Sequence, residues 1–140
     1  TAVEKYSQEA ADKCVPLDSE LIKEAIPLFT QIHHCGSVLA EVFFAMMISR
    51  ILYGSVPAPG TMVIFSILLA TCSIGTPGLP WGTVMVSLGT LTGILKFGDS
   101  GQALMFAVFA LNDAFAAACN ATCDGAAALF LTGYVKRHDL

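Results

Sequence analysis

Between two long apolar runs the chain carries Cys72-Ser-Ile-Gly-Thr-Pro-Gly-Leu-Pro-Trp-Gly-Thr83, a stretch through which no regular helix can pass. Gly75 and Gly78 open backbone angles closed to other residues, while Pro77 and Pro80 each remove an amide donor and stop a helix that reaches them. The carbonyls and amides freed there need partners. In hydrocarbon, irregular backbone is tolerated only where it packs inside protein or lines a hydrated cavity. The turn therefore predicts a re-entrant helical hairpin whose tip lies near an ion or a polar substrate. Its arms, Thr61 to Thr71 and Val84 to Phe97, are each shorter than the roughly 20 residues needed to cross a bilayer, so they enter and return.

Charge is distributed to match. Only 13% of the 140 residues are charged and 55% are hydrophobic, against about 25% charged in an average soluble domain, which predicts a single apolar domain. Residues 1–24 hold Glu4, Lys5, Glu9, Asp12, Lys13, Asp18, Glu20, Lys23 and Glu24, whereas residues 25–95 hold only Glu41 and Arg50. The first part is wet and the rest dry. With a formal net charge of -4 and no basic cluster beyond Lys136-Arg137, the electrostatic footprint of a nucleic-acid binder is missing, and that class is excluded. The chain opens on Thr1 without a basic-then-apolar leader, and the expectation is a processed product or a piece of something longer.

Apolar periodicity and breakers divide the chain into an amphipathic entry segment (1–25), a broken helix (26–53), a helical hairpin (61–97) and a last long helix (102–137). A short helix is expected over residues 4–14, a break at Val15-Pro16-Leu17-Asp18, and a cap for the next helix at Asp18 or Ser19. Thr30 to Ser37 is a polar island in which a helix unwinds, with Gly36 as its break. Glu41 and Arg50 lie in the apolar run that follows, where a charge normally faces a partner, a cavity or the interface. In the last helix Asp113, Asn120 and Asp124 are seven and four residues apart, which puts two carboxylates and an amide on one face. A solvated stripe is the plain alternative, but its neighbours are strongly apolar.

The five cysteines, Cys14, Cys35, Cys72, Cys119 and Cys123, read mostly as small buried packing residues. Cys119 and Cys123, spaced i and i+4, offer two soft ligands, which is half of a metal site. His33, His34 and Cys35 invite a nucleophile–base reading, but adjacency in one segment does not make the required geometry. The expectation is that the chain is not an enzyme.

Two stretches carry a resemblance to the dicarboxylate/amino acid:cation symporters, which include the sodium-coupled glutamate and aspartate transporters. Ser73-Ile74-Gly75-Thr76-Pro77-Gly78-Leu79-Pro80 resembles the family's second hairpin tip, Ser-Ile-Gly-Thr-Ala-Gly-Val-Pro. Asn120-Ala121-Thr122-Cys123-Asp124 resembles its last-helix motif, Asn-Val-Thr-Gly-Asp, in the family's order and at about its spacing. Upstream, Ile26-Pro27-Leu28 is similar to the Leu-Pro-Leu before the family's unwound Asn-Met-Asp-Gly-Thr, whose place is taken by His33-His34-Cys35-Gly36-Ser37. The resemblance implies an all-α fold of broken helices and a re-entrant hairpin, the C-terminal half of a transport domain, in the cell (inner) membrane. It also implies roles. Ser73, Ile74 and Thr76 would offer backbone carbonyls to sodium, Asp124 would coordinate a deeper sodium, and Asn120 would serve both cation and substrate. Ser37, Leu79 and Asp113 would meet the substrate, Asp113 through its ammonium. Oxygen ligands of this kind suit a hard cation.

The departures are as informative as the matches. The family's sodium-ligating aspartate in the broken helix is Cys35 here, its companion asparagine is His33, a second last-helix aspartate falls at Phe109, and the arginine that pairs with an acidic substrate side chain is Ala116. A buried carboxylate without a cation is strongly penalised, which argues against glutamate or aspartate as substrate, and the loss of a carboxylate at Cys35 weakens sodium coupling. The function expected is that of a truncated symporter-like protein, binding a small amino acid or carboxylate with sodium and not transporting alone, because alternating access needs a second bundle. The alternative is a soluble helical binding or interaction module derived from such a transporter. Either a homodimer, by exchange across the Gly54–Gly60 loop, or a partner chain supplying the missing half would cover its apolar surface.

Overall fold

The computed structural model describes residues 5, 8, 9, 13, 19–74, 76 and 82–138. Five helices run through residues 19–138: α1 (Ser19–Ile32), α2 (Cys35–Tyr53), α3 (Pro59–Ser73), α4 (Gly82–Gly93) and α5 (Asp99–His138). No strand occurs among the described residues, and the all-α expectation holds. Of the short helix expected over 4–14, Lys5, Gln8 and Glu9 are helical and Lys13 is in a turn; the rest of it, the break at Val15–Asp18 and the tip residues Gly75, Pro77, Gly78, Leu79 and Pro80 lie outside the described residues.

The breakers act where their chemistry requires. Gly54 ends α2 in the left-handed region at φ 73°, where Arg50 Nη1 donates to its carbonyl over 2.6 Å. Pro59 then starts α3 in its first turn, where a missing amide costs nothing. Lys96 takes a left-handed φ of 58° between α4 and α5, a strained choice for a side chain, and Tyr53 braces that turn by accepting a hydrogen bond from Gly98 N–H (3.0 Å). The last helix begins at Asp99, earlier than the Gln102 start expected, with its carboxylate favourably placed in the first turn and Lys136, Arg137 and His138 in the last.

α5 is the spine. Its 40 residues extend about 60 Å, and Gly101, Met105, Phe109, Ala116, Asn120, Asp124, Ala128 and Thr132 form its buried stripe. α2 lies along α5, α1 packs beside the C-terminal part through Ile22 and Ile26 against Ala128, and α3 and α4 pack on each other as hairpin arms. α3 rests on α2, and α4 reaches both α2 and α5. The main core gathers Ala45, Ile48, Phe65, Leu69, Val84, Leu91, Phe97, Met105 and Phe109, so all of α2–α5 meet in one apolar cluster.

The opposite faces remain uncovered. Leu39, Phe43, Met47 and Ile51 form one exposed line on α2, while Leu111 and Phe130 on α5 are 84% and 79% exposed. Glu20–Tyr53 and Asp99–His138 are long and apolar enough to cross a membrane, and Pro59–Ser73 is a shorter apolar helix. The arrangement is compatible with a lipid environment.

Candidate functional site

The unwound island is narrower than the sequence suggests. α1 continues through Ile32, where His33 N–H still bonds the Phe29 carbonyl (2.7 Å), and α2 resumes at Cys35; only His33 and His34 leave the helix. Gly36 is therefore not the break. It lies in the first turn of α2, buried against α5, and its missing side chain permits the contact. A Cβ there would sit 2.5 Å from Cys119 Cβ and 2.6 Å from the Ala116 carbonyl oxygen. The first amides of a helix have no partner inside it, and this close approach presents them to α5.

Asn120 takes them. Its Oδ1 accepts from Gly36 N–H (2.7 Å) and from Ser37 N–H (3.3 Å), while its Nδ2 donates to Ser37 Oγ (3.0 Å). One amide side chain on α5 thus caps α2 from across the interface, a task usually done by the residue just before the helix; here His34 stands in that position and makes no side-chain cap. One turn further along α5, the fully buried Asp124 accepts from His33 Nδ1 at 3.0 Å. His33, 37% exposed, links that carboxylate to the surface. His34 Nδ1 is buried and has no hydrogen-bond partner among the described residues.

A second polar pair lies deeper. Glu41 on α2 is fully buried, and its Oε1 meets the Ser87 hydroxyl of α4 while Oε2 has no hydrogen-bond partner among the described residues. Ser87 Oγ also contacts the Val84 carbonyl at 3.0 Å. A hydroxyl has one proton to give, so a protonated Glu41 donating to Ser87 satisfies both contacts at once. The sequence placed a partner requirement on Glu41 but did not name Ser87. The only available signal was that Ser87 and Thr83 are hydroxyls within the apolar arm.

Ser37, Asn120 and Asp124 converge at the start of α2. Asp113 does not join them: it is half-buried two helical turns earlier, about 10 Å from Asn120 along the axis, and makes no hydrogen bond among the described residues. Ser73 and Thr76 form a unit of their own. The Ser73 carbonyl accepts from Thr76 N–H (3.1 Å) and from Thr76 Oγ1 (2.6 Å), and Ile74 is exposed. Leu79 lies outside the described residues. Phe109 and Ala116 are buried apolar side chains, the first in the main core and the second behind Gly36. No group of three or more His, Cys, Asp or Glu among the described residues is arranged to hold a metal ion, so Cys119 and Cys123 gain no further ligands. An open cleft lined by Ser49, Tyr53, Thr61 and Lys96 lies at the other end of α2, with Ser49 about 18 Å along the helix from Ser37.

A broken helix is thus capped by an amide from a long apolar helix, beside a buried carboxylate and a helical hairpin. The model of the sodium:dicarboxylate symporter family matches residues 6–133, and the chain belongs to that family. No curated protein and no solved structure matches it. That family is one of transporters, which is consistent with the expectation that the chain is not an enzyme.

Two outcomes follow from the site. Asn120→Ala leaves the Gly36 and Ser37 amides unsatisfied and is expected to lower stability by about 2 kcal/mol or more, whereas Asn120→Asp, which keeps the acceptor, loses less; unfolding midpoints of the two variants measure the difference. Glu41→Gln preserves a donor and an acceptor and is expected to stay within about 1 kcal/mol of the parent, with Glu41→Ala clearly worse. A Gln variant as unstable as the Ala variant would show that the carboxyl is ionised and paired.

Proposed function

We propose that this chain is part of the substrate- and cation-binding transport domain of a membrane symporter, and that its site lies where α2 begins against Asn120 and Asp124. The observation that carries the reading is the buried contact of Asn120 with Gly36 and Ser37, because it sets irregular backbone, amide and carboxylate together within an apolar bundle. Asp124 is the cation ligand, with Asn120 and the Ser73, Ile74 and Thr76 backbone as further oxygen donors and Ser37, Leu79 and Asp113 as the substrate side. A sodium ion reaching Asp124 must displace the His33 ring, which already supplies a hydrogen bond there. Sodium dependence is accordingly weaker than the oxygen-ligand set alone would give, and removal of the ring strengthens it.

The substrate is a small amino acid or monocarboxylate. Ala116 supplies no cation for a second carboxylate, and its carbonyl is packed where a Cβ on Gly36 would fall. Alternating access requires one bundle to move against another. A homodimer or a partner chain covers the apolar line on α2, in the cell (inner) membrane. A soluble interaction module is the second reading, favoured by the polar outer face of α1, where Glu20, Lys23 and Glu24 are exposed. A chain that remains monodisperse without detergent would support it.

The test is thermal unfolding of the detergent-solubilised chain in sodium chloride against choline chloride, with and without L-alanine or L-aspartate. Sodium is expected to raise the midpoint, His33→Ala to enlarge the rise, and Asp124→Ala to remove it. Equal midpoints in both salts for all three proteins would overturn the cation reading. A larger response to aspartate than to alanine would overturn the substrate assignment.

A further inference from the structure

The cleft at the far end of α2 brings together the end of that helix, the start of α3 and the turn between α4 and α5. It has a volume of about 310 Å³, and Ser49, Tyr53, Ser55, Thr61 and Lys96 are its polar lining. Every one of these side chains can donate a hydrogen bond, and no carboxylate lines the cleft. Ser49 is only 3% exposed, yet its hydroxyl makes no hydrogen bond among the described residues. A hydroxyl so deeply buried normally has a partner, and the cleft is the space left for one.

The backbone adds donors of its own. α3 opens without a side-chain cap, because Ala58 offers none and Pro59 has no amide, so the Gly60 and Thr61 amides begin the 15-residue helix with no partner inside it. A Cβ placed on Gly60 would meet nothing within 4 Å, so this helix start is open. Tyr53 accepts from Gly98 N–H (3.0 Å), which leaves its own hydroxyl proton to give. Lys96 is exposed and makes no ion pair among the described residues; Asp99, three residues further on, does not line the cleft. Arg50 Nη1 occupies the Gly54 carbonyl (2.6 Å), which removes one acceptor from the end of α2 and sets a second positive charge at the same end of the bundle.

We propose that this cleft binds a phosphoryl group, with Lys96 as its counter-charge and Ser49, Thr61 and the start of α3 as hydrogen-bond donors. Free amides at a helix start attract anions, and a cation would find no acidic side chain here. Donors brought from three parts of the chain suit a tetrahedral oxyanion, whose oxygens point in different directions, better than a flat carboxylate. Inorganic phosphate and the phosphodiester of an anionic lipid headgroup share this chemistry. Ile94 and Leu95 form an apolar wall beside Lys96 that suits the second source as well as the first. Ser49 lies about 18 Å along α2 from Ser37, and the proposal does not depend on the transport reading.

The experiment follows the Gly60 and Thr61 amide resonances of the full chain in an uncharged detergent. Potassium phosphate is titrated against potassium chloride at matched ionic strength, then dihexanoyl phosphatidylglycerol; potassium salts keep the result separate from any sodium response. Both amides are expected to shift saturably with phosphate and not with chloride. Lys96→Gly is expected to weaken binding about tenfold or more, with the fold kept because glycine suits the left-handed backbone at φ 58°. Ser49→Ala is expected to weaken it several-fold, and Lys96→Arg to retain it. Tighter binding of phosphatidylglycerol than of phosphate would assign the site to a lipid headgroup, and the reverse order to the free ion. The same shifts in chloride, no saturable shift with either phosphoryl probe, or undiminished binding by Lys96→Gly would overturn the proposal. The titration of the unsubstituted chain stands whether or not a variant folds.

Discussion

Everything at the centre of this molecule depends on two backbone amides at the start of α2 that have no partner in their own helix. The chain leaves helical geometry at His33 and His34, and the amides of Gly36 and Ser37 then point out of the new helix into a region with little water. Unsatisfied amides in such surroundings are costly, so the start of α2 can exist only where another element supplies an acceptor. Asn120 supplies it for both. The contact requires a backbone approach that only glycine allows at position 36, and it fixes the register of α2 on α5. That register in turn places His33 at Asp124 and leaves Glu41 to be met by Ser87 from the hairpin.

Three side-chain pairs join the helices of this bundle. His33 with Asp124 joins the break to α5, Asn120 with Ser37 joins α2 to α5, and Glu41 with Ser87 joins α2 to α4. Around them the core is apolar, and the outward faces of α2 and α5 carry exposed apolar side chains as well. A helical bundle with polar seams inside and hydrophobic faces outside suits lipid or a covering partner better than water. The seams are also the places where a ligand or a change of conformation exchanges one hydrogen-bond partner for another. The junction at Asn120 is therefore the structural keystone.

The helical class, the hairpin arms and the polar stripe on α5 were legible in the sequence because each rests on a local property: periodicity, a cluster of Gly and Pro, or a spacing of four residues. Asn120 and Asp124 were picked out on that spacing, and both are buried. Asp113 has the same heptad relation to Asn120 but is only half-buried and makes no hydrogen bond among the described residues, because periodicity reports a face and not the depth to which a neighbour covers it. Gly36 was misread as a breaker. Glycine serves equally for a turn and for close approach, and only the position of α5 distinguishes the two. The partners of His33 and Glu41 were illegible for the same reason: Asp124 and Ser87 are 91 and 46 residues away, and nothing local marks them.

The central claim is that the Asn120 contact holds the α2 start as firmly as the core itself. Amide hydrogen exchange at Gly36 and Ser37 in the detergent-solubilised chain tests it most directly. The account predicts that both amides exchange only with global unfolding, at rates matching those of mid-helix residues such as Ile48, although they belong to a helix's first turn. Exchange at the rate of open first-turn amides, such as those of Gly60 and Thr61 at the start of α3, would contradict it and would mean that α2 begins without its cap.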